Sequence, residues 1–155
     1  MALRKILTDK DESLHRVCKP IDKFDDKLAT LLDDMHETLD KAQGLGLAAP
    51  QVGVIRRAVI VDVGEGVIEL INPVIIEQEG EQTTAEGCLS MPGEYGLTKR
   101  PMKVKVRAQD RNGEFFEISG EGLLAKAFCH ELDHLEGILY KDIVIRMLDP
   151  EELEE

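Results

Sequence analysis

The sequence predicts an α+β fold in which antiparallel or mixed β-sheets pack around a central helix that carries an H-E-x-x-H motif. Three observations support this class. A long amphipathic helix is predicted near the amino terminus, short β-rich segments fill the middle of the chain, and apolar residues return at helical spacing near the end. Helices and strands do not alternate along the chain, which argues against a parallel βαβ architecture.

The first long helix is predicted to begin after Pro20, with Asp22 or a neighbour as its N-cap, and to end at Gly44. Before it, residues 3–8 predict a short strand or extended arm, and residues 11–16 a helical turn. The helix has an apolar stripe at helical spacing, which predicts its core face. The stripe comprises Phe24, Leu28, Leu31, Leu32, Met35 and Leu39.

Short strands dominate the middle of the chain. Residues 102–108 alternate strictly between polar and apolar types, which predicts a half-buried antiparallel strand. Asp110 and Gly113 bound a hairpin turn, and residues 64–66 form another turn. The other predicted strands are residues 57–63, 67–71, 74–79, 81–88 and 114–119.

The H-E-x-x-H motif lies in the last predicted helix. On a helix, His130 and His134 are one turn apart and share a face, so both can bind one divalent metal ion. Glu131 can then reach a water molecule on that metal. Gly137 can end the helix in a left-handed conformation. Apolar residues support the helix: Leu123, Leu124, Ala127, Phe128, Leu132 and Leu135.

A catalytic metal site of this kind needs a third protein ligand and one open position. The extended motif H-E-x-x-H-x-x-G-x-x-H is excluded, because Tyr140 stands where its third histidine belongs. A glutamate from a following helix is disfavoured, because the chain from about residue 148 reads as a frayed acidic tail. The acids there are Glu151, Glu152, Glu154 and Glu155.

The remaining candidate for the third protein ligand is one of the three cysteines. Cys129 points about 100° away from the histidine face of the helix, so we expect it to be buried. Cys18 has no other ligand type beside it. Cys88 follows a β-rich run and Gly87, which allows close approach of the backbone. The sequence therefore predicts Cys88, His130 and His134 as ligands, with water as the fourth. His15 is expected to be a surface residue, and His36 is expected to be a structural one.

Three segments taken together resemble the motifs of the bacterial peptide deformylases. They are residues 44–51 (GLGLAAPQ), 86–90 (EGCLS) and 130–134 (HELDH), and their order and spacing match over nearly the whole chain. The resemblance implies a hydrolase that removes the formyl group from N-terminal formyl-methionine of nascent chains and releases formate. It also implies one divalent metal, usually Fe²⁺, with Zn²⁺, Ni²⁺ or Co²⁺ able to substitute.

The resemblance also implies roles for individual residues. Glu131 is the expected general base. The Gln51 side chain and the backbone N–H of Leu89 are expected to donate to the developing oxyanion. Glu86 and Arg100 are expected to form a structural pair, and Asp133 is either an orienting group or a surface acid. The expected substrate-binding residues, including a pocket for the methionine side chain, are Leu45, Gly46, Gly87, Leu123, Ala127 and His130.

The chain departs from the family pattern at two places. Cys129 stands where the family often has glutamine, and we expect little effect because the position faces away from the metal. Many members carry an arginine shortly after the cysteine motif, whereas here the next one is Arg100. The sequence therefore does not predict which residues contact the substrate beyond its methionine.

Length, composition and net charge limit the classes of protein to which the chain can belong. The chain has 155 residues, which fits one domain (residues 1–155) with its own core. No signal peptide or apolar stretch of about 18 residues is present, so we expect no membrane contact. An odd number of cysteines predicts a reducing, cytoplasmic setting. The net charge of −12 argues against sequence-specific nucleic-acid binding, and transient ribosome contact needs a local basic patch that the sequence does not clearly provide.

Two other functions compete with deformylation. A zinc endopeptidase or aminopeptidase shares the H-E-x-x-H motif and the same base, but the third histidine is missing here. A structural metal site, or a formyl-peptide-binding relative without activity, is the non-enzymatic alternative. A structural zinc site normally has four protein ligands, and the sequence supplies three.

Overall fold

Two β-sheets and two longer helices make up the computed structural model, which describes residues 2–153. Its elements, in chain order, are a 3-10 turn (Glu12–His15), α1 (Asp26–Ala42), β1 (Gly46–Ala48), a 3-10 turn (Ala49–Val52), β2 (Ala58–Val61), β3 (Ile68–Glu79), β4 (Gln82–Cys88), β5 (Met91–Arg100), β6 (Lys103–Gln109), β7 (Phe115–Glu121), α2 (Leu123–Leu135), α3 (Tyr140–Ile143), β8 (Arg146–Met147) and a final 3-10 turn (Pro150–Leu153).

The strands form a five-stranded sheet in the order β1-β2-β3-β6-β7 and a three-stranded sheet in the order β4-β5-β8. All pairings between these strands are antiparallel. Helix α2 contacts β1, β2, β6 and β7 of the larger sheet and β5 of the smaller one. The predicted α+β class, with sheets around the helix that carries the motif, is therefore confirmed.

Strand β2 separates two core clusters because its side chains alternate between the faces of the sheet. Val59 and Val61 pack in the cluster that contains Phe128 and Leu132 of α2. Ala58 and Ile60 pack on the opposite face, against the apolar stripe of α1. The stripe is buried as predicted at Leu28, Leu31, Leu32, Met35 and Leu39, and Phe24 is partly buried at its edge.

The predicted N-cap of α1 is wrong by three residues and its predicted end by one. The N-cap is Asp25, whose side chain accepts a hydrogen bond from Leu28 N–H at 3.1 Å. Residue 21 lies outside the helix instead, and Asn72 forms hydrogen bonds with both its N–H and its carbonyl, each at 2.8 Å. At the other end, Gln43 takes the left-handed conformation with φ 54°, so Gly44 is not the cap.

Most predicted strands are present. The segments predicted at 67–71 and 74–79 form the single strand β3, which has a register shift between Ile71 and Val74. Residues 3–8 lie outside both sheets, which agrees with the arm, one of the two alternatives predicted there, and not with the strand. Strand β5 was not predicted, because Pro92, Gly93 and Gly96 weaken its strand pattern. The short elements α3 and β8 were not predicted either.

The chain beyond residue 148 is partly structured. Pro150–Leu153 forms a 3-10 turn, and Glu152 accepts two hydrogen bonds from the Arg146 guanidinium at 2.6 and 3.0 Å. The prediction of a frayed tail is therefore wrong for Pro150–Leu153. Glu154 and Glu155 lie outside the described residues. Within residues 2–153, each helix is too short or too polar to cross a membrane.

The position of the α1 N-cap gives a test of the fold. Asp25→Ala should lower the free energy of unfolding by about 1 kcal/mol, because it removes the acceptor for the first turn of the helix. Asp22→Ala is the matched control and should have almost no effect. Denaturant unfolding of both variants measures the difference, and a larger loss for Asp22→Ala contradicts the structure.

Candidate active site

Cys88, His130 and His134 come together at one point although the cysteine is distant in sequence. Cys88 ends β4, and the two histidines lie one turn apart on α2. Their ligand atoms all lie within 4.8 Å of one another. Cys88 Sγ is 3.4 Å from His134 Nε2, which is 3.3 Å from His130 Nε2. One sulfur and two nitrogens form a donor set that fits iron or zinc.

The other cysteines and histidines lie elsewhere. Cys18 and Cys129 are both buried in the core cluster under the larger sheet, and burial raises the pKa of each thiol to about 11. The predicted inward position of Cys129, away from the donor atoms, is confirmed. His15 is exposed and bonds the Asp9 carbonyl, whereas His36 Nε2 lies 2.7 Å from Glu69 Oε2.

Glu86 is a buried carboxylate that connects β4, β5 and α2. It accepts from Arg100 at 2.6 and 3.0 Å and from the Thr98 hydroxyl at 2.8 Å. Its Oε2 also lies 2.6 Å from His130 Nδ1, which leaves His130 Nε2 for the metal. The predicted pairing of Glu86 with Arg100 is confirmed. Burial raises the pKa of Glu86, but the hydrogen bonds from His130 and Arg100 hold it well below its usual range.

Arg100 also binds helix α2 through Asp133, whose Oδ2 lies 2.6 Å from Arg100 Nη1. Asp133 therefore orients the helix rather than serving as a plain surface acid. Arg100 is 6% exposed and Glu86 4% exposed, so the pair is shielded from water. Moving β4, β5 or α2 apart would leave a buried charge without its partner, which is costly. The pair therefore fixes these three elements in one relative position.

Glu131 is a buried carboxylate beside the donor atoms. Its Oε2 lies 3.9 Å from His130 Nε2, and its Oε1 has no hydrogen-bond partner among residues 2–153. Burial raises the pKa of Glu131 to about 7. Gly46 makes room for it, because an added Cβ at Gly46 would lie 2.5 Å from Glu131 Oε2. An unpartnered buried oxygen beside a metal-type donor set fits a proton acceptor.

The Gln51 side chain is held from both ends. Its Oε1 accepts from Ala48 N–H at 2.9 Å, and its Nε2 donates to the Ser90 hydroxyl at 3.0 Å, with Cys88 Sγ 3.7 Å away. Ser90 and Leu89 form the turn between β4 and β5. Sequence reasoning missed Ser90, which has no catalytic signature of its own.

The amino-terminal arm supports this region from outside. Leu7 N–H donates to the Gln51 carbonyl at 2.7 Å, and Asp9 N–H donates to the Ser90 carbonyl at 3.1 Å. The arm therefore bridges the two segments that hold Gln51 and Leu89. Both hydrogen bonds are made by backbone groups, so the residue types of the arm do not reveal from sequence that it supports the site.

A cavity of about 500 Å³ opens beside the donor atoms. Its walls include Cys88, Leu89 and Glu131, whereas Gln51 is buried behind them. The predicted substrate-binding residues all line it: Leu45, Gly46, Gly87, Leu123, Ala127 and His130. Leu45 and Leu123 are 45% and 44% exposed, so the cavity presents apolar surface.

Sequence reasoning missed other residues of the cavity wall. Tyr95 packs over Gly87, where an added Cβ would lie 2.7 Å from Tyr95 Cε1. Lys126 also lines the cavity, and its Nζ donates to the Ala85 carbonyl at 2.9 Å. In the segment where the family often has arginine, Glu94 and Tyr95 line this wall. Tyr95 was missed because its strand, β5, was not predicted.

Within residues 2–153, three side chains supply the donor atoms, whereas a structural zinc site normally has four. The donor atoms lie at a cavity, beside the Glu131 carboxylate. This is the organisation of a hydrolytic metal centre rather than of a closed structural one. Comparison with known proteins gives the family. The family model described as polypeptide deformylase matches residues 3–149, and the chain belongs to that family.

Individual relatives match over nearly the whole chain. The peptide deformylase of Caldicellulosiruptor bescii is 56% identical over 155 residues, which cover 100% of this chain and 93% of that protein. The peptide deformylase of Acetivibrio thermocellus is 56% identical over 154 residues, covering 99% and 91%. The family predicted from the three sequence motifs is thus confirmed.

Solved structures agree with this assignment. The crystal structure of a peptide deformylase from Legionella pneumophila has a TM-score of 0.89 and 45% identity, and covers 97% of this chain and 88% of that one. The peptide deformylase from Thermotoga maritima has a TM-score of 0.90 and 39% identity, with 92% and 97% coverage.

The Glu86 network can be tested by one substitution. Glu86→Gln should lower the free energy of unfolding by about 3–5 kcal/mol, because Arg100 stays buried without a full counter-charge. It should also weaken metal binding about 10- to 100-fold, because His130 loses its orienting carboxylate. Thermal unfolding and metal titration measure the two effects.

The control for Glu86→Gln is Glu81→Gln, which removes an exposed carboxylate 3.3 Å from Lys99. Exposed ion pairs contribute about 0–1 kcal/mol, so this variant should stay close to wild type in stability and metal affinity. Equal behaviour of the two variants contradicts a structural role for Glu86.

Proposed function

We propose that this protein is a metal-dependent hydrolase that removes the formyl group from N-terminal formyl-methionine of nascent polypeptides and releases formate, with residues 1–155 acting as one catalytic domain. The observation that carries the proposal is the unpartnered Glu131 carboxylate beside the Cys88, His130 and His134 donor atoms, at the wall of the cavity. Membership in the polypeptide deformylase family supports the same reaction.

The proposed metal ligands are Cys88 Sγ, His130 Nε2 and His134 Nε2. Their mutual distances, and the engagement of His130 Nδ1 by Glu86, support one metal ion shared among them. A divalent metal supplies Lewis-acid chemistry when bound, since it polarises a carbonyl and makes a water molecule more acidic. We propose Fe²⁺ as the metal in the cell, with Zn²⁺, Ni²⁺ or Co²⁺ able to substitute.

Glu131 acts as the general base and acid in this proposal. It takes a proton from the attacking water and later delivers that proton to the nitrogen of the leaving amine as the C–N bond breaks. Its position supports both steps, because Oε1 has no other partner in the described part of the chain and the carboxylate borders the cavity. Such a group typically contributes about 10²–10⁴ in rate.

Gln51 and Leu89 stabilise the negative charge that develops on the formyl oxygen. The Gln51 Nε2 group and the Leu89 backbone N–H are the proposed donors. The hydrogen bonds of Gln51 to Ala48 and Ser90 hold its amide in place before the substrate arrives. A fixed donor of this kind is typically worth about 10²–10³ in kcat.

The substrate peptide is proposed to bind extended between two edge strands. Gly46 lies in β1 and Gly87 in β4, which are terminal strands of their sheets, and both residues line the cavity. An edge strand offers backbone groups that an added peptide strand can pair with. The methionine side chain is then placed against Leu45, Leu123, Ala127 and the ring of His130.

The proposed reaction also implies where in the cell the protein works. We propose a cytoplasmic location and transient contact with the ribosome, where formylated nascent chains emerge. Support comes from Cys18, Cys88 and Cys129, which are all free, as expected in a reducing compartment.

Formate release from a short formyl-methionyl peptide tests the reaction. Protein purified without oxygen and loaded with Fe²⁺ should release formate from this peptide and none from its acetylated twin. Exposure to air should abolish the activity, because the metal or the Cys88 thiolate oxidises. Absence of formate with the metal stoichiometrically bound contradicts the proposal, and cleavage of an internal peptide bond identifies a peptidase instead.

Glu131→Gln tests the general base. The variant should keep its metal, because Glu131 is not a proposed ligand, and kcat should fall by about 10²–10⁴. Glu117→Gln, an exposed change on β7, is the control and should keep both properties. Turnover of Glu131→Gln close to wild type rules out Glu131 as the base.

A further inference from the structure

Gly44 lies directly against the side chain of Leu89. An added Cβ at Gly44 would lie 2.7 Å from Leu89 Cδ1, 3.0 Å from Cγ and 3.1 Å from Cδ2. Because the contact includes the branching carbon and both methyl groups, rotation of a single methyl does not relieve it. The side chain of Leu89 therefore occupies the space that any larger residue at position 44 needs.

Backbone conformation does not explain the glycine. The φ angle of Gly44 is outside the left-handed region, and Gln43 rather than Gly44 ends helix α1 with φ 54°. An L-residue at position 44 meets no conformational penalty of the kind that favours glycine. The constraint at this position is thus the space filled by Leu89.

Leu89 is held on both sides by residues of the site. Ser90 is fully buried, accepts from Gln51 Nε2 at 3.0 Å through its hydroxyl, and accepts from Asp9 N–H at 3.1 Å through its carbonyl. On the other side, Cys88 Sγ lies 3.4 Å from His134 Nε2. Displacement of Leu89 therefore strains a turn that is fixed at both ends.

We propose that Gly44 is a positioning residue for catalysis: its missing side chain seats Leu89, and with Leu89 the backbone N–H that meets the developing oxyanion. This inference rests on the proposed function, because it assigns Gly44 a part in the same hydrolysis. Gly46, two residues later, follows the same principle, since it leaves room for the Glu131 side chain.

A double-mutant cycle with Gly44→Ala and Leu89→Ala tests the inference. In the otherwise wild-type protein, Gly44→Ala should lower kcat about 10- to 100-fold with the metal retained, because a small displacement of an oxyanion donor is costly. In the Leu89→Ala background, the same substitution should change kcat by less than about twofold, because the overlap is gone. Equal losses in both backgrounds overturn the inference.

Gly120→Ala is the matched control. An added Cβ there would lie 2.8 Å from Leu124 Cγ and 2.9 Å from Phe128 Cε2, a similar overlap between β7 and α2. This variant should lower the melting temperature and leave kcat within about twofold below that temperature. If Gly120→Ala loses as much kcat as Gly44→Ala, general destabilisation explains both losses and the positioning role is wrong.

A second readout does not depend on turnover. In the zinc-loaded protein, Gly44→Ala should move the backbone amide resonance of Leu89, whereas Gly120→Ala should leave it in place. An unmoved resonance in Gly44→Ala overturns the inference even if the wild-type enzyme releases formate. If the wild type releases none, the proposed function fails, and the resonance still decides whether Gly44 seats Leu89.

Discussion

The structure depends on the hydrogen bonds by which the buried Glu86 carboxylate of β4 reaches two other elements, β5 and α2. Glu86 and Cys88 are two residues apart at the end of β4, which is about 6.6 Å along a regular strand, and the pairing of β4 with β5 shifts register between Gly87 and Cys88. His130 and His134 are four residues apart on α2, which is about 6 Å along the helix. The two spacings nearly match, so Glu86 meets His130 where Cys88 meets His134. One charged hydrogen bond thus aligns the strand that carries the sulfur with the helix that carries the imidazoles.

That alignment needs a counter-charge, because an isolated carboxylate is costly in a site shielded from water. Arg100 supplies the counter-charge from β5, and it also reaches Asp133 on α2. The reactive part of the site is organised by different means. Gln51 is held by Ala48 and Ser90, and the backbone N–H groups of Leu7 and Asp9 donate to the carbonyls of Gln51 and Ser90. The charged network therefore supports the donor atoms, and neutral hydrogen bonds support the proposed oxyanion donors.

Sequence reasoning succeeded where one segment contains the whole signal. The period of the apolar residues identified α2, and the spacing of His130 and His134 placed them on one face before any tertiary contact was known. It failed where a distant residue decides the local structure. Asn72 binds the backbone of Ile21 outside the helix, and Asp25 rather than Asp22 is the N-cap of α1. Strand β5 is irregular in composition but is stabilised by pairing with β4.

The same limit applies within the site. Local context favoured Cys88 over the other cysteines as the third ligand, and the H-E-x-x-H spacing indicated Glu131, whereas Gln51 and Leu89 came from the family resemblance. Ser90 and Gly44 act through neighbours that are far away in sequence, so no local pattern identifies their contacts. Gly44 in particular reads as a helix cap in sequence, whereas the structure shows that Leu89 fills its missing side-chain space.

A crystal structure of the zinc-loaded protein, with anomalous scattering at the zinc edge, locates the metal independently of turnover. One strong peak should lie about 2.3 Å from Cys88 Sγ and about 2.0–2.1 Å from the Nε2 atoms of His130 and His134. Glu86 should still accept a hydrogen bond from His130 Nδ1, and Glu131 should stay outside the protein ligand set. A peak on Cys18 or Cys129, or zinc coordinated by Glu131 in place of Cys88, rules out the proposed metal site.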